Sequence, residues 1–385
     1  MTSALDPADV DRKAGLGVLI ATCVSCLVVN ANTSAVTILL PAIASDVDAS
    51  ISTLQWAVTG YSLVGAAFIV TSGALGDVFG RRKIFIGGLL LFIGSCVLIA
   101  FANSGAAVIA GRCIQGAAGS TILACGLSLL TMESGGSERL KAVSLWGAAA
   151  AVGAAAGPLV GGVLVDSVGW EALFWIDAGI AALCIPVTLK TVAESSDPTR
   201  SRTIDWLGTV LVAAILAPLI LGVSKGSDWG WGSVATLACL VISIAAGFAF
   251  VAVERRSDAP LVDLALMRNR VLIGSTVGIL IGAGTINGLM FVVSLYFQDP
   301  DSLAFSPLEA GIATLPATVG LVVSAPFVPR LATRWGTRQV VGFGFAMTAV
   351  GFGILGLTKA SWGYGAFVIP FLVAAIGMSL TNGPC

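Results

Sequence analysis

The sequence predicts an all-α protein that crosses a membrane many times. Three observations carry this reading. Hydrophobic residues make up 57% of the 385-residue chain, with a mean hydropathy of +0.97. Charged residues are 11%, against about 25% in soluble domains. Uncharged apolar runs recur from end to end, at the length of about 20 residues that a helix needs to cross the hydrocarbon core. Backbone polar groups in lipid must be satisfied internally, and the runs lack the polar/apolar alternation of an outer-membrane barrel.

Twelve spans follow, at about 15–41, 54–76, 84–102, 105–131, 142–165, 170–189, 206–224, 233–253, 271–296, 307–328, 339–357 and 364–385. The basic residues orient them. With a cytoplasmic N-terminus, 17 of the 20 Lys and Arg lie inside: Arg12, Lys13, Arg81, Arg82, Lys83, Arg139, Lys141, Lys190, Arg200, Arg202, Arg255, Arg256, Arg268, Arg270, Arg330, Arg334 and Arg338. Lys225 and Lys359 fall outside, and Arg112 falls within a span. Trp56, Trp170, Trp229, Trp231 and Trp362 then sit near the outer interface as an aromatic belt. The N-terminus, MTSALDPADVDRKAGLG, is polar and acidic, unlike a cleavable signal peptide.

Span one carries Cys23 and Cys26, a C-x-x-C inside a lipid-length helix, without histidine or a second pair. The eight cysteines read as small packing residues rather than metal or redox groups. The chain has 0 histidines, so a proton relay would use carboxylates, and no metal or cofactor is expected. The net charge of −1, with no basic tail, points to no nucleic-acid partner. Spans two and three are joined by GALGDVFGRRK, residues 73–83. Arg81, Arg82 and Lys83 hold that turn inside, and Gly73, Gly76 and Gly80 let it be short. Orientation alone leaves Asp77 and the glycine spacing unexplained.

Span four buries Arg112, at a cost of ~2.5–3.5 kcal/mol on insertion scales; such residues face a cavity and have a partner. Snorkelling to the headgroups is the alternative. Gln115, at i+3, shares its face. In span five, Gly153-x-x-x-Gly157 lets two helices meet closely, and Pro158 removes a backbone hydrogen bond and bends the helix. Span six opens with WEALFWID, whose Asp177 is either a membrane carboxylate or an outer-end residue reached by water. Spans seven to nine are uncharged apolar runs. Between spans ten and eleven, PRLATRWGTRQ (329–339) echoes the 2–3 turn: aligning Gly80 with Gly336 matches Leu75 to Leu331 and Arg82 to Arg338. Repeated helical halves are a transporter signature.

GALGDVFGRRK resembles the loop 2–3 signature of the major facilitator superfamily, G-x-L-x-D-x-x-G-R-[RK]-x. Further stretches agree in order. VIAGRCIQGAAGS resembles the fourth-helix R-x-x-Q-G through Arg112, Gln115 and Gly116. GAAAGPLVGG resembles the fifth-helix exporter motif through Gly153, Gly157, Pro158, Gly161 and Gly162. LQWAVTGYSL (Trp56, Tyr61), DWLG at 205–208 and PLVDLALMRNR at 260–270 are similar to the fourteen-helix drug:proton antiporters. The resemblance implies a six-helix bundle over 1–190, a linker and two inserted helices over 191–255, and a second bundle over 256–385. Four of that bundle's six helices are present, and the chain reads as C-terminally truncated relative to the family.

The resemblance also implies roles. Asp77, with Gly80, Arg81 and Arg82, belongs to a gating loop in which Gly73 permits close helix approach. Arg112 and Gln115 bias a carboxylate's proton or hold a polar substrate group. In VVNANTSAVTILLP, Asn32 stands where the family has Asp and cannot carry a proton; Thr37 stands where it has Asn. Glu171 and Asp177 stand where relatives often have Arg and Asn. The function implied is a proton-coupled exporter of hydrophobic or cationic small molecules in the cell membrane, with substrate, protons and lipid as partners. Two readings stay open beside it: a truncated non-transporting membrane protein, and a transporter of this superfamily with other substrate and coupling. No enzyme is expected.

Overall fold

The computed structural model describes residues 7–133, 136–196, 205–257, 264, 266–298, 302–358 and 362–382. Arg200, Arg202, Lys359, Cys385, part of the 191–255 stretch and part of PLVDLALMRNR lie outside them. The described residues are helical nearly throughout, in the order α1 (Pro7–Asp46), α2 (Ile51–Phe79), α3 (Arg81–Ala100), α4 (Gly105–Glu133), α5 (Gly136–Ser167), α6 (Glu171–Thr191), α7 (Trp206–Trp229), α8 (Val234–Glu254) and α9 (Arg270–Gln298). Then come α10 (Pro307–Ala313), α11 (Leu315–Ser324), α12 (Val328–Trp335), α13 (Thr337–Leu355) and α14 (Gly365–Asn382). Among the described residues nine helices are long and apolar enough to cross a membrane, and shorter apolar helices lie within 270–285, 308–324 and 365–381.

Local chemistry sets the boundaries. Ser50 accepts a hydrogen bond from the Thr53 backbone N–H at 3.1 Å and starts α2 as an N-cap. Ser233 does the same for α8 through Thr236 at 3.2 Å. Ser306 and Glu309 form a reciprocal capping box at α10. The tenth span, expected as one helix over 307–328, is broken. Thr314 ends α10 and a 3-10 turn, Ala325–Phe327, separates α11 from α12. Pro316 and Pro326 lack the N–H that would continue the helical ladder, which accounts for both interruptions.

The chain forms two compact units. The first comprises Met1–Val29, Leu40–Trp146 and Gly169–Leu264. In it α4 packs against both α2 and α3, α3 packs on α6, and α7 pairs with α8 and touches α2. The α2–α7 contact includes a buried hydrogen bond between the Thr71 and Thr209 hydroxyls at 2.9 Å. The second unit comprises Asn30–Leu39, Gly147–Val168 and Ala265–Cys385. There α14 packs against α13 and α11, over a core of Phe297, Phe367 and Phe371.

Large apolar side chains such as Phe101, Leu183, Val234 and Phe248 stand exposed, as lipid contact requires. Trp170 stands at the start of α6. It is buried, lies edge-on to Phe174 at 5.9 Å, and donates from Nε1 to Asp46 at 3.2 Å. A buried indole needs an acceptor for its N–H, and the end of α1 supplies it.

Candidate functional site

Arg112 lies inside α4 with no exposed surface, and Gln115 is equally buried. Several groups hold the guanidinium. Nη1 donates to Gln115 Oε1, one turn along the same face. Nε donates to the Ala57 carbonyl of α2 at 3.3 Å. The Tyr61 ring lies below it, with Cζ 4.2 Å from the ring centroid, a cation–π arrangement that strengthens when desolvated. Gln115 in turn donates from Nε2 to Cys96 Sγ of α3 at 3.1 Å. Asp177 of α6 is 4% exposed and lies within Coulombic reach of both Cys96 and Arg112. The network therefore draws side chains from α2, α3, α4 and α6.

Gly116 explains how α2 comes close enough. A Cβ there would run into the Tyr61 carbonyl, so the helices meet backbone to backbone. The R-x-x-Q-G spacing thus reads as charge, hydrogen-bond partner and contact point on successive positions of one face. Trp56, on α2, is half-buried. Asn32 and Thr37 belong to the second unit; Asn32 is fully buried and Thr37 is exposed.

The 2–3 turn is a second constellation. Gly80 joins α2 to α3 with φ +108°, a sparsely populated conformation that costs L-residues about 1–3 kcal/mol. Asp77 receives Arg81 from the next turn, Nη2 to Oδ1 at 2.6 Å and Nε to Oδ1 at 3.0 Å. Arg81 also reaches Met132 Sδ of α4. Gly80 offers no side-chain cap for α3, and residues after α6 supply one. Glu194 Oε1 accepts the Arg82 backbone N–H at 3.1 Å, and the Ser195 carbonyl accepts that of Arg81 at 2.9 Å. Arg82 Nη1 donates to the Val192 carbonyl at 3.1 Å.

Asp77 sits inside α2, paired with Arg81, and the carboxylate at the helix start is Glu194, which sequence reasoning missed. Gly73 makes no close approach among the described residues: a Cβ there meets nothing within 4 Å. The tight position is Gly76, where it would stand 3.0 Å from Cys125 Sγ. That thiol is buried and lies 3.5 Å from the Ser72 carbonyl.

The fifth-helix glycines form a third group, in the second unit. A Cβ at Gly157 would collide with Ser34 and the Ala31 carbonyl of α1, and one at Gly161 would lie 3.3 Å from Ala35 Cβ. One at Gly162 would stand 3.4 Å from Leu308 Cα, while one at Gly311 would stand 3.6 Å from the Pro158 carbonyl. Gly153 is buried in the same helix. The motif therefore gives α5 two smooth contacts, with α1 on one side and α10 on another.

The chain is 32% identical over 363 residues to the tetracenomycin C resistance and export protein of Streptomyces glaucescens, covering 94% of this chain and 67% of that one. It is 30% identical over 299 residues to the multidrug resistance protein Stp of Mycobacterium tuberculosis (strain CDC 1551 / Oshkosh), covering 77% of this chain and 55% of that one. The chain thus spans about half to two thirds of the length of these relatives. Among solved structures, the proton:xylose symporter XylE shares the fold with a TM-score of 0.64 at 15% identity, over 97% of this chain and 81% of that one. The profile of the Major Facilitator Superfamily matches residues 19–385, and the chain belongs to that superfamily.

Proposed function

We propose that the protein is a secondary active exporter of hydrophobic or cationic small molecules, exchanging them for protons by alternating access. The observation that carries this is Arg112: a charge buried in a membrane helix and held by Gln115, Tyr61 and Ala57. An intramembrane charge of this kind marks a substrate or ion pathway. The named activities of the two relatives, tetracenomycin C resistance and export and multidrug resistance, support the direction and substrate class. So does the exporter-type motif around Pro158. In this reading the chain lies in the cell membrane with its N-terminus inside. Residues 1–190 form one bundle, 191–255 a linker with two inserted helices, and 256–385 the start of a second bundle. The protein performs no covalent chemistry.

The test is efflux of ethidium from cells that make the protein. Arg112→Ala should abolish efflux driven by the proton gradient while the protein stays in the membrane at its normal level. Efflux equal to that of the unaltered protein would remove Arg112 from the mechanism. Asn32 favours one second reading, a transporter of this superfamily with a different coupling, because an amide at that position cannot titrate. Ethidium efflux that ignores collapse of the proton gradient would select it.

A further inference from the structure

DWLG, at 205–208, opens α7, and the exporter reading leaves it without a task. Asp205 caps the helix: its Oδ1 accepts the Gly208 backbone N–H at 2.6 Å. The other oxygen, Oδ2, is buried and has no hydrogen-bond partner among the described residues. An acceptor withdrawn from water without a donor is costly, and a donor brought by a ligand removes that cost. Asp205 also lines a cavity of ≈ 340 Å³, within the range of about 300–1,000 Å³ typical of small-molecule sites. Leu207 lies beside it there, and the end of α8 and the residues after it contribute Ala252, Val253, Arg256 and Ser257. Arg256 is exposed and enters no ion pair among the described residues. One cavity thus presents a carboxylate and a guanidinium that do not neutralise each other, with three apolar side chains between the helix ends.

Its level in the membrane matters as much as its charges. Both α7 and α8 are long and apolar enough to cross a bilayer, and the cavity lies where one begins and the other ends. Trp206 and Leu207 stand exposed at that level, as side chains of the headgroup region do. We infer that the cavity holds the headgroup of a phospholipid with a primary ammonium, of the phosphatidylethanolamine type. Asp205 takes the ammonium, Arg256 takes the phosphate as a charge-assisted partner, and Leu207, Ala252 and Val253 meet the first methylenes of the chains. Turning the carboxyl group about its Cβ–Cγ bond exchanges its oxygens, so one can cap α7 while the other receives the ammonium. A free phosphate would leave the carboxylate opposed to it, and a simple amine would leave Arg256 unused; a zwitterion satisfies both. Phosphatidylcholine carries the same charges but has no N–H to give to Oδ2. This inference does not depend on the exporter reading.

The test uses the full chain, purified in detergent and stripped of lipid. It is titrated with phosphatidylethanolamine or phosphatidylcholine of identical acyl chains, and native mass spectrometry counts the bound lipid. The unaltered protein should bind the ethanolamine lipid roughly tenfold more tightly, the worth of one charge-assisted hydrogen bond. Asp205→Asn retains a good cap, because asparagine caps as well as aspartate, and should bind the two lipids equally. Arg256→Gln should weaken both. Asp228→Asn, near the other end of α7 and paired with Lys225, should keep the full preference. Equal binding of the two lipids by the unaltered protein would overturn the assignment, as would an undiminished preference in Asp205→Asn. If Asp205→Asn fails to insert, Arg256→Gln decides: weakened binding supports the site and unchanged binding refutes it. Glycerophosphoethanolamine binding as tightly as the lipid would also refute it, since a soluble headgroup would then suffice.

Discussion

A methyl group at position 116 would land on the Tyr61 carbonyl. The consequence reaches Arg112, because the Tyr61 ring lies under the guanidinium only while α2 and α4 stay this close. Gly116→Ala should therefore destabilise the protein by about 1–3 kcal/mol, the usual range for overpacking. Gly179→Ala, at a position with open space around it, is the control. Thermal unfolding in detergent checks the pair: equal melting temperatures would mean that the seam relaxes freely. Part of this site was legible in advance. The i, i+3 spacing put Gln115 on the face of Arg112, and hydropathy alone made Arg112 conspicuous. The Tyr61 contact was not legible, since periodicity within α4 says nothing about which residue of another helix sits opposite. Asp177 was visible as a membrane carboxylate, but its nearness to Arg112 depends on how α3, α4 and α6 pack.

The element that depends most on distant residues is α3. Its first N–H groups have no partner within the helix, and Gly80 has no side chain to give. Glu194 and Ser195 fill the role from 112 or more residues away in sequence. A carboxylate at a helix N-terminus also meets the positive end of the helix dipole. The Arg82–Glu194 ion pair is longer, 3.9 Å, and about 30% exposed on both sides, so it contributes little by itself. Glu194→Ala should cost about 0.5–2 kcal/mol, the worth of a lost cap. Glu194→Gln should cost less, because an amide oxygen still accepts from Arg82. Denaturation curves for the two variants test this ordering, and identical curves for all three proteins would deny Glu194 a capping role. Sequence reasoning placed the turn and its glycines but missed Glu194, because a cap supplied by another segment leaves no local pattern. The break in the tenth span was within reach, since Pro316 and Pro326 stand in plain view inside the apolar run.

At the scale of the whole molecule, the weak echo between 73–83 and 329–339 has a structural counterpart. Gly80 and Gly336 both join two helices with positive φ, +108° and +88°. Each donates its N–H to the carbonyl four residues earlier at 3.0 Å, Gly76 in one case and Ala332 in the other. The two turns differ in company. A Cβ at Gly80 would strike Glu194, whereas one at Gly336 meets nothing within 4 Å among the described residues. The order of the helical spans was readable because lipid imposes length and apolarity on each span. How spans pack was not readable, since every face of a lipid-immersed helix is apolar.

Cys125, wedged between Gly76 and the Ser72 carbonyl, turns this packing into something a reagent can time. Its sulfur is reachable only if α2 and α4 part, so its alkylation rate is a native clock for that seam. If alternating access moves the first unit as one body, N-ethylmaleimide should spare Cys125 equally with and without ethidium and a proton gradient. Peptide mass mapping of alkylated protein reads the result. Labelling that rises during turnover would mean the unit opens internally, and transport would then work by shear within a helix bundle.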